Sequence, residues 1–304
     1  MIHEISLFLL HCDVEKKLNK KTIKAYSSDL YQFQAFTKNA DISMINKYML
    51  KLYLEELSKY AARTIKRKIA TLKAFFSYLE FEEILDSSPF RKVRTKIKLD
   101  RILPNTLSLE EIQRILRFVY DLKSKVANHS SFYYKETARN IAVLELLLAT
   151  GIRVSELCSL KFENIASDFS LVKVMGKGSK ERIIPITNEA TKNALIENHM
   201  LFKVDIYRTS YMFINRFGNC LSEQSVRFMV KATAKKAKIK RNITPHVFRH
   251  SFATLLLEED VDIRYIQDLL GHSSINVTQI YTHVNEKKKT ALLKLKSPRN
   301  FVSI

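Results

Sequence analysis

The chain has 304 residues, 46% of them hydrophobic and 10% aromatic, which is material for two folded domains of ordinary size. With 51 Lys and Arg against 31 Asp and Glu it carries a formal charge of +20: a surface that attracts polyanions, nucleic acid first among them, or one that is simply basic and well solvated. The three cysteines, Cys12, Cys158 and Cys220, are too scattered for a disulfide framework or a zinc knuckle, and no apolar run is long enough to cross a bilayer, so a soluble chain in a reducing cytoplasm is expected.

The opening MIHEISLFLLHCDVEKK holds a short apolar run flanked by Glu4 and Asp13 and lacks a small-residue cleavage site, which reads as an amphipathic helix and not a signal peptide. Ile5, Phe8, Leu9 and Cys12 recur at helical spacing, and Ile23, Tyr26, Leu30 and Phe33 repeat the pattern. Ser43 is placed to cap a third helix with Ile45, Tyr48, Met49 and Leu52 inward. In a fourth, Ile65, Ile69, Leu72, Phe76 and Leu79 form one stripe while Arg63, Lys66, Arg67 and Lys73 fall opposite. That basic side suits contact with DNA phosphates, or plain solvation. These helices make up a first domain over residues 1–87. The stretch SSPFRKVRTKIKLDRILPNT follows, bounded by Pro89 and Pro104 and carrying Arg91, Lys92, Arg94, Lys96, Lys98 and Arg101. It reads as a basic linker over 88–106, running close to DNA or kept extended by its own charge.

The second domain, 107–304, opens on a capping box, Ser108 with Glu111, stapled by Leu107 and Ile112, and its first helix turns Ile112, Ile115, Leu116 and Val119 inward. Residues 121–137 are polar and aperiodic in part, which reads as a loop or an extension of that helix, and no role is assigned to them. Ile141–Leu148 is a nearly continuous apolar helix ending in ATGIRVSELCSL, where Gly151 turns the chain and Arg153 and Glu156 begin the next helix on a common face. An arginine beside so apolar a segment needs a carboxylate or an external anion, and a purely structural ion pair is the plainer of the two readings. In FSLVKVMGKGSKERIIPI two β-branched runs flank GKGSKE, a hairpin with Lys177 at its tip between two glycines. The glycines do not have P-loop spacing. Helical patterns then alternate with the apolar patch Tyr211–Ile214, and a helix from Ser222 ends in Lys231, Lys235, Lys236, Lys238, Lys240 and Arg241.

The segment TPHVFRHSFATLLLEEDVDIRYIQDLLGHSSINVTQIYTHV holds His246, Arg249, His272 and Tyr281 in order. Cations able to grip a phosphate oxygen, near a hydroxyl able to attack phosphorus, point to phosphoryl transfer through a tyrosine. A short basic amphipathic tail, suited to packing on its own domain or on a neighbour, closes the chain.

TGIRVSEL, GKGSKER, HVFRHSFAT and LLGHSSINVTQIYTHV, in this order and spacing, closely resemble the tyrosine site-specific recombinases, nearest the Xer-type and phage-integrase branch. The resemblance covers essentially the whole chain. It implies a mainly α fold with a small β-hairpin: an N-terminal four-helix core-binding domain, then an α+β catalytic domain ending in an interaction tail. By position it makes Arg153 and Arg249 the phosphate-gripping arginines, Glu156 a supporting carboxylate and Lys177 the donor to the leaving 5′-hydroxyl. His246 and His272 become the site histidines and Tyr281 the nucleophile. The implied reaction cuts and rejoins DNA through a 3′-phosphotyrosyl link, so the bond energy is conserved and neither metal, cofactor nor ATP is expected. The implied partner is double-stranded DNA with inverted-repeat half-sites, bound by a homo-tetramer across two duplexes, alone or with a second recombinase. Resolution of chromosome or plasmid dimers is the expected role. Integration of a phage or mobile element, type IB topoisomerase activity and non-cutting DNA binding are the alternatives.

Overall fold

The computed structural model describes residues 1–93, 95, 106–175, 181–271 and 293–302. They divide into two compact units, Met1–Ile102 and Leu103–Ile304. No described helix is long and apolar enough to cross a membrane.

Among its described residues the first unit has four α-helices, α1 Ile2–Val14, α2 Lys20–Phe36, α3 Lys47–Glu56 and α4 Ala62–Phe81. Phe8, Leu30, Phe33, Leu50, Tyr53, Leu57, Leu72, Phe75, Phe76 and Leu79 build one core, with Phe33 edge-on to Tyr53 and to Phe76. The third helix departs from the reading of the sequence. Residues Ile42–Met44 form a 3-10 turn, and Asn46, not Ser43, caps α3 by accepting from the Met49 N–H at 3.0 Å. The later start rotates the inward stripe to Leu50 and Tyr53 and leaves Tyr48 and Leu52 exposed. On α4, Arg63, Lys66, Arg67 and Lys73 are exposed as the stripe requires. Arg67 is also tied to the buried Asp29, which takes Lys68 at 2.9 Å and the Thr71 hydroxyl at 3.0 Å. After α4 the chain is still part of this unit: a 3-10 turn over Pro89–Lys92 follows, and Phe90 and Val93 are buried in the same core.

Among its described residues the second unit has the helices α5 Leu109–Ser124, α6 Phe132–Thr150, α7 Val154–Cys158, α8 Glu189–Leu201, α9 Lys203–Thr209, α10 Glu223–Lys236, α11 Pro245–Glu258 and α12 Ile263–Leu270, with a further helical turn over 293–296. Two strands, β1 Leu171–Met175 and β2 Glu181–Pro185, pair antiparallel with Val174 opposite Arg182. The capping box of α5 forms as read, Ser108 with Glu111. The apolar helix α6 is the axis of the unit, buried on all sides from Ile141 to Thr150 and packed by α5, α8 and α11. From Ile141 to Ala149 the helix is apolar on every face except at Glu145, and such a stretch belongs in the interior, so the other elements are arranged around it. The described residues 293–302 pack here too. Leu293, Pro298, Arg299 and Val302 are buried, and Arg299 reaches Glu145 of α6 at 2.7 and 2.9 Å.

Candidate active site

The site begins where α6 ends. Gly151 takes φ +60°, and a Cβ there would lie 2.6 Å from Phe252 Cδ1 and 2.9 Å from Leu270 Cδ2, so only glycine fits both the turn and the packing. The turn makes Arg153 the residue that caps α7. Glu156, one turn into α7, accepts the Arg153 backbone N–H at 2.9 Å and its Nη1 at 2.7 Å. Arg182 on β2 approaches the same carboxylate from the other side with both arms of its fork, Nη1 at 2.9 Å and Nη2 at 2.8 Å. Glu156 is thus only 7% exposed and holds two guanidiniums.

The C-terminal turn of α12 meets this cluster. The last carbonyls of a helix lack internal partners and carry its negative end. Here three consecutive ones accept from three different arginines: Leu269 from Arg182 Nε at 2.9 Å, Leu270 from Arg249 Nη2 at 2.6 Å, and Gly271 from Arg153 Nη2 at 2.8 Å. Arg249, buried on α11, uses its other arm on the Gly151 carbonyl at 2.8 Å. Four separated stretches of sequence therefore converge within hydrogen-bond reach, next to Gly271, the residue that precedes His272.

The charges interact. Burial would raise the Glu156 carboxyl, but hydrogen bonds from Arg182 and from the Arg153 backbone outweigh it and hold the group below the usual carboxylate range. Burial, with Arg153 adding its charge, pushes Arg249 down to about 10, with Glu156 opposing. The two described side-chain bonds of Arg249 go to neutral carbonyls, not to a carboxylate. His246, three residues before Arg249 on α11, has part of its ring open to solvent. Burial of the rest and the guanidiniums of Arg227 and Arg249 keep it below the usual imidazole value, that is, neutral at neutral pH.

Of the residues expected at the site, the structure brings Arg153, Glu156 and Arg249 together with His246 at their edge. Lys177, His272 and Tyr281 lie outside the described residues, and Arg63, Lys66, Arg67 and Lys73 belong to the other unit. Arg182 is the member that sequence reasoning missed. It closes the motif GKGSKER, and its further signal was an arginine leading into the apolar residues of a strand.

Comparison with known proteins adds to this geometry. The phage integrase family matches over residues 105–288 and the phage integrase N-terminal SAM-like domain over residues 5–83. A tyrosine recombinase of Agathobacter rectalis is 44% identical over 296 residues, 97% of this chain and 96% of its own. The tyrosine recombinase XerD of Listeria innocua is 34% identical over 301 residues, 96% of this chain and 97% of its own. Among solved structures, a XerH site-specific recombinase bound to difH substrate shares the fold, with TM-score 0.68 and 24% identity over 93% of this chain and 82% of that one.

Proposed function

The chain belongs to the phage integrase family of tyrosine recombinases, enzymes that cut and rejoin DNA, and we propose that it does so at the arginine cluster around Glu156, with Tyr281 as the nucleophile. The supporting observation is the convergence of Arg153 and Arg249 on the end of α12, immediately before the segment that carries His272 and Tyr281. A phosphodiester repels nucleophiles until its nonbridging oxygens are neutralised, and planar guanidinium forks suit that task. Arg153 and Arg249 hold those oxygens in this reading, and Glu156 keeps Arg153 aimed. His246, held neutral, is able to accept a proton or donate a hydrogen bond, and His272 adds a second imidazole. Tyr281, whose free phenol has a pKa of ~10, needs the neighbouring positive charge to attack as phenolate. Attack leaves a 3′-phosphotyrosyl bond, Lys177 protonates the departing 5′-oxygen, and the attack of a 5′-hydroxyl reverses the step.

Residues 1–87 serve as the core-binding domain with Arg63, Lys66, Arg67 and Lys73 toward phosphates, 88–106 as the basic linker and 107–304 as the catalytic domain. Within that linker, Phe90 and Val93 anchor its first part to the first unit's core. The partner is double-stranded DNA with inverted-repeat half-sites, bound by a homo-tetramer across two duplexes in the cytoplasm. An Xer-like role in resolving chromosome or plasmid dimers fits the near-full-length likeness to XerD.

The test starts from the duplex that the purified protein protects in fragmented DNA from its own cell. A nicked copy of that duplex should give a covalent adduct on a denaturing gel with wild type and none with Tyr281→Phe. Absence of an adduct with wild type would leave only a binder. Holliday junctions formed from two such duplexes separate a recombinase from a topoisomerase.

A further inference from the structure

Arg182 has no part in the reaction as set out above, yet its side chain makes more hydrogen bonds inside the cluster than that of either other arginine. Its Nη1 and Nη2 grip both oxygens of Glu156 and its Nε holds the Leu269 carbonyl. All three nitrogens of its guanidinium are engaged inside the cluster, and its side chain is 10% exposed against 31% for Arg153, so of the two arginines on Glu156 it is Arg153 that has room for an incoming anion. Its guanidinium also fills the space beside Gly271. A Cβ at that glycine, whose φ is +64°, would lie 3.0 Å from Arg182 Nη1 and 3.2 Å from its Cδ. Three elements meet on this one side chain: β2, whose register against β1 fixes its position; α7, through the carboxylate that orients Arg153; and the final turn of α12.

We propose that Arg182 is a positioning residue: it locks the Arg153 guanidinium to the end of α12 without itself touching the DNA phosphate. The inference rests on the reading of Arg153 as a phosphate-holding residue. A single ammonium in its place would keep the charge beside Glu156 but could not bridge both carboxylate oxygens and the Leu269 carbonyl. Arg153 would then lose its fixed angle, and small displacements of a group that stabilises developing charge are expensive.

The experiment measures single-turnover adduct formation at saturating protein on two nicked duplexes, one with the ordinary scissile phosphate and one with a methylphosphonate there. The methylphosphonate lacks the nonbridging charge that a guanidinium neutralises. Arg182→Lys should slow cleavage of the phosphate on the order of 100-fold, and slow the methylphosphonate far less, the same selective pattern as Arg153→Ala. A merely structural defect slows both substrates alike. If Arg182→Lys does not fold, Gly271→Ala, which crowds the same guanidinium from the other side, reads the same ratio. Wild-type cleavage of the phosphate by the folded variant, or equal slowing on both duplexes, overturns the proposal. Wild type that gives no adduct on the phosphate duplex overturns the reading of the site, and this inference with it.

Discussion

Two glutamates in the second unit are buried beside arginines, and the two clusters differ in what they leave open. Glu145 has no exposed surface. Its oxygens take Arg299 at 2.7 and 2.9 Å, the Tyr120 hydroxyl at 2.9 Å and the Thr191 hydroxyl at 3.0 Å, and the remaining arm of Arg299 goes to the Val302 carbonyl at 2.8 Å. Burial, then the charge of Glu145, pushes the Tyr120 hydroxyl well above the phenol range, so it remains a donor. Glu156 is nearly as buried and equally well supplied with donors, but one of its two arginines keeps 31% of its side chain in solvent. A carboxylate ringed wholly from within ties one part of the chain to another. A carboxylate that steadies a half-open arginine prepares a place for an anion that is not part of the protein.

The largest effect should come from the closed cluster. Arg299→Ala strands the Glu145 charge in the interior and cuts the tie that holds the end of the chain to α6. Removal of one partner from such a buried pair costs about 3–5 kcal/mol, measurable by urea unfolding followed by circular dichroism. A loss below about 1 kcal/mol, the range of exposed pairs, would mean that the tail cluster is not the lock its geometry describes.

Arg153→Ala should invert that pattern. Glu156 keeps both arms of Arg182 and so is not stranded, and the unfolding midpoint should move little. Adduct formation on the nicked duplex should fall about 10²- to 10³-fold, the usual loss for one donor to developing charge. An equal fall in stability and rate would make the pair a structural one, as its sequence context alone allows.

Much of this could be read in the chain beforehand, and what could not has a common cause. The Ser108–Glu111 capping box, the hairpin around GKGSKE, the α4 stripe and the turn at Gly151 are local, and each is determined by residues a few positions apart. The resemblance of four motifs pointed to Arg153, Glu156, His246 and Arg249 among the described residues, and to Lys177, His272 and Tyr281 outside them. The start of α3 was missed because Ser43 and Asn46 are both good caps and the apolar residues near them fit two phases. The linker's first residues read as polar and basic, yet Phe90 and Val93 complete a core built elsewhere in the chain. Arg182 with Glu156 lies across 26 positions and Arg299 with Glu145 across 154, and no periodicity reports a pairing that only the folded topology creates. A buried glutamate implies a cation; which of 51 basic residues supplies it is settled in three dimensions.

The smallest expected effect separates the clusters by pH. His246 and Glu156, both at the open cluster, have folded-state values depressed below the ordinary ones. A depressed group binds fewer protons folded than unfolded, so its contribution to stability is complete above the unfolded value and is lost as pH falls through the folded one. The loss therefore begins near ~6.5 for the imidazole and near ~4.3 for the carboxyl. His199, stacked on Phe162 and lowered by burial and by Lys203, adds to the first step. Unfolding midpoints followed downward from neutral pH should show two declines, and His246→Gln should shrink the first while leaving the second, which Glu156→Gln should shrink in turn. A first decline of unchanged size in His246→Gln would mean that the α11 imidazole does not feel the arginines beside it, and that the open cluster ends at Arg249.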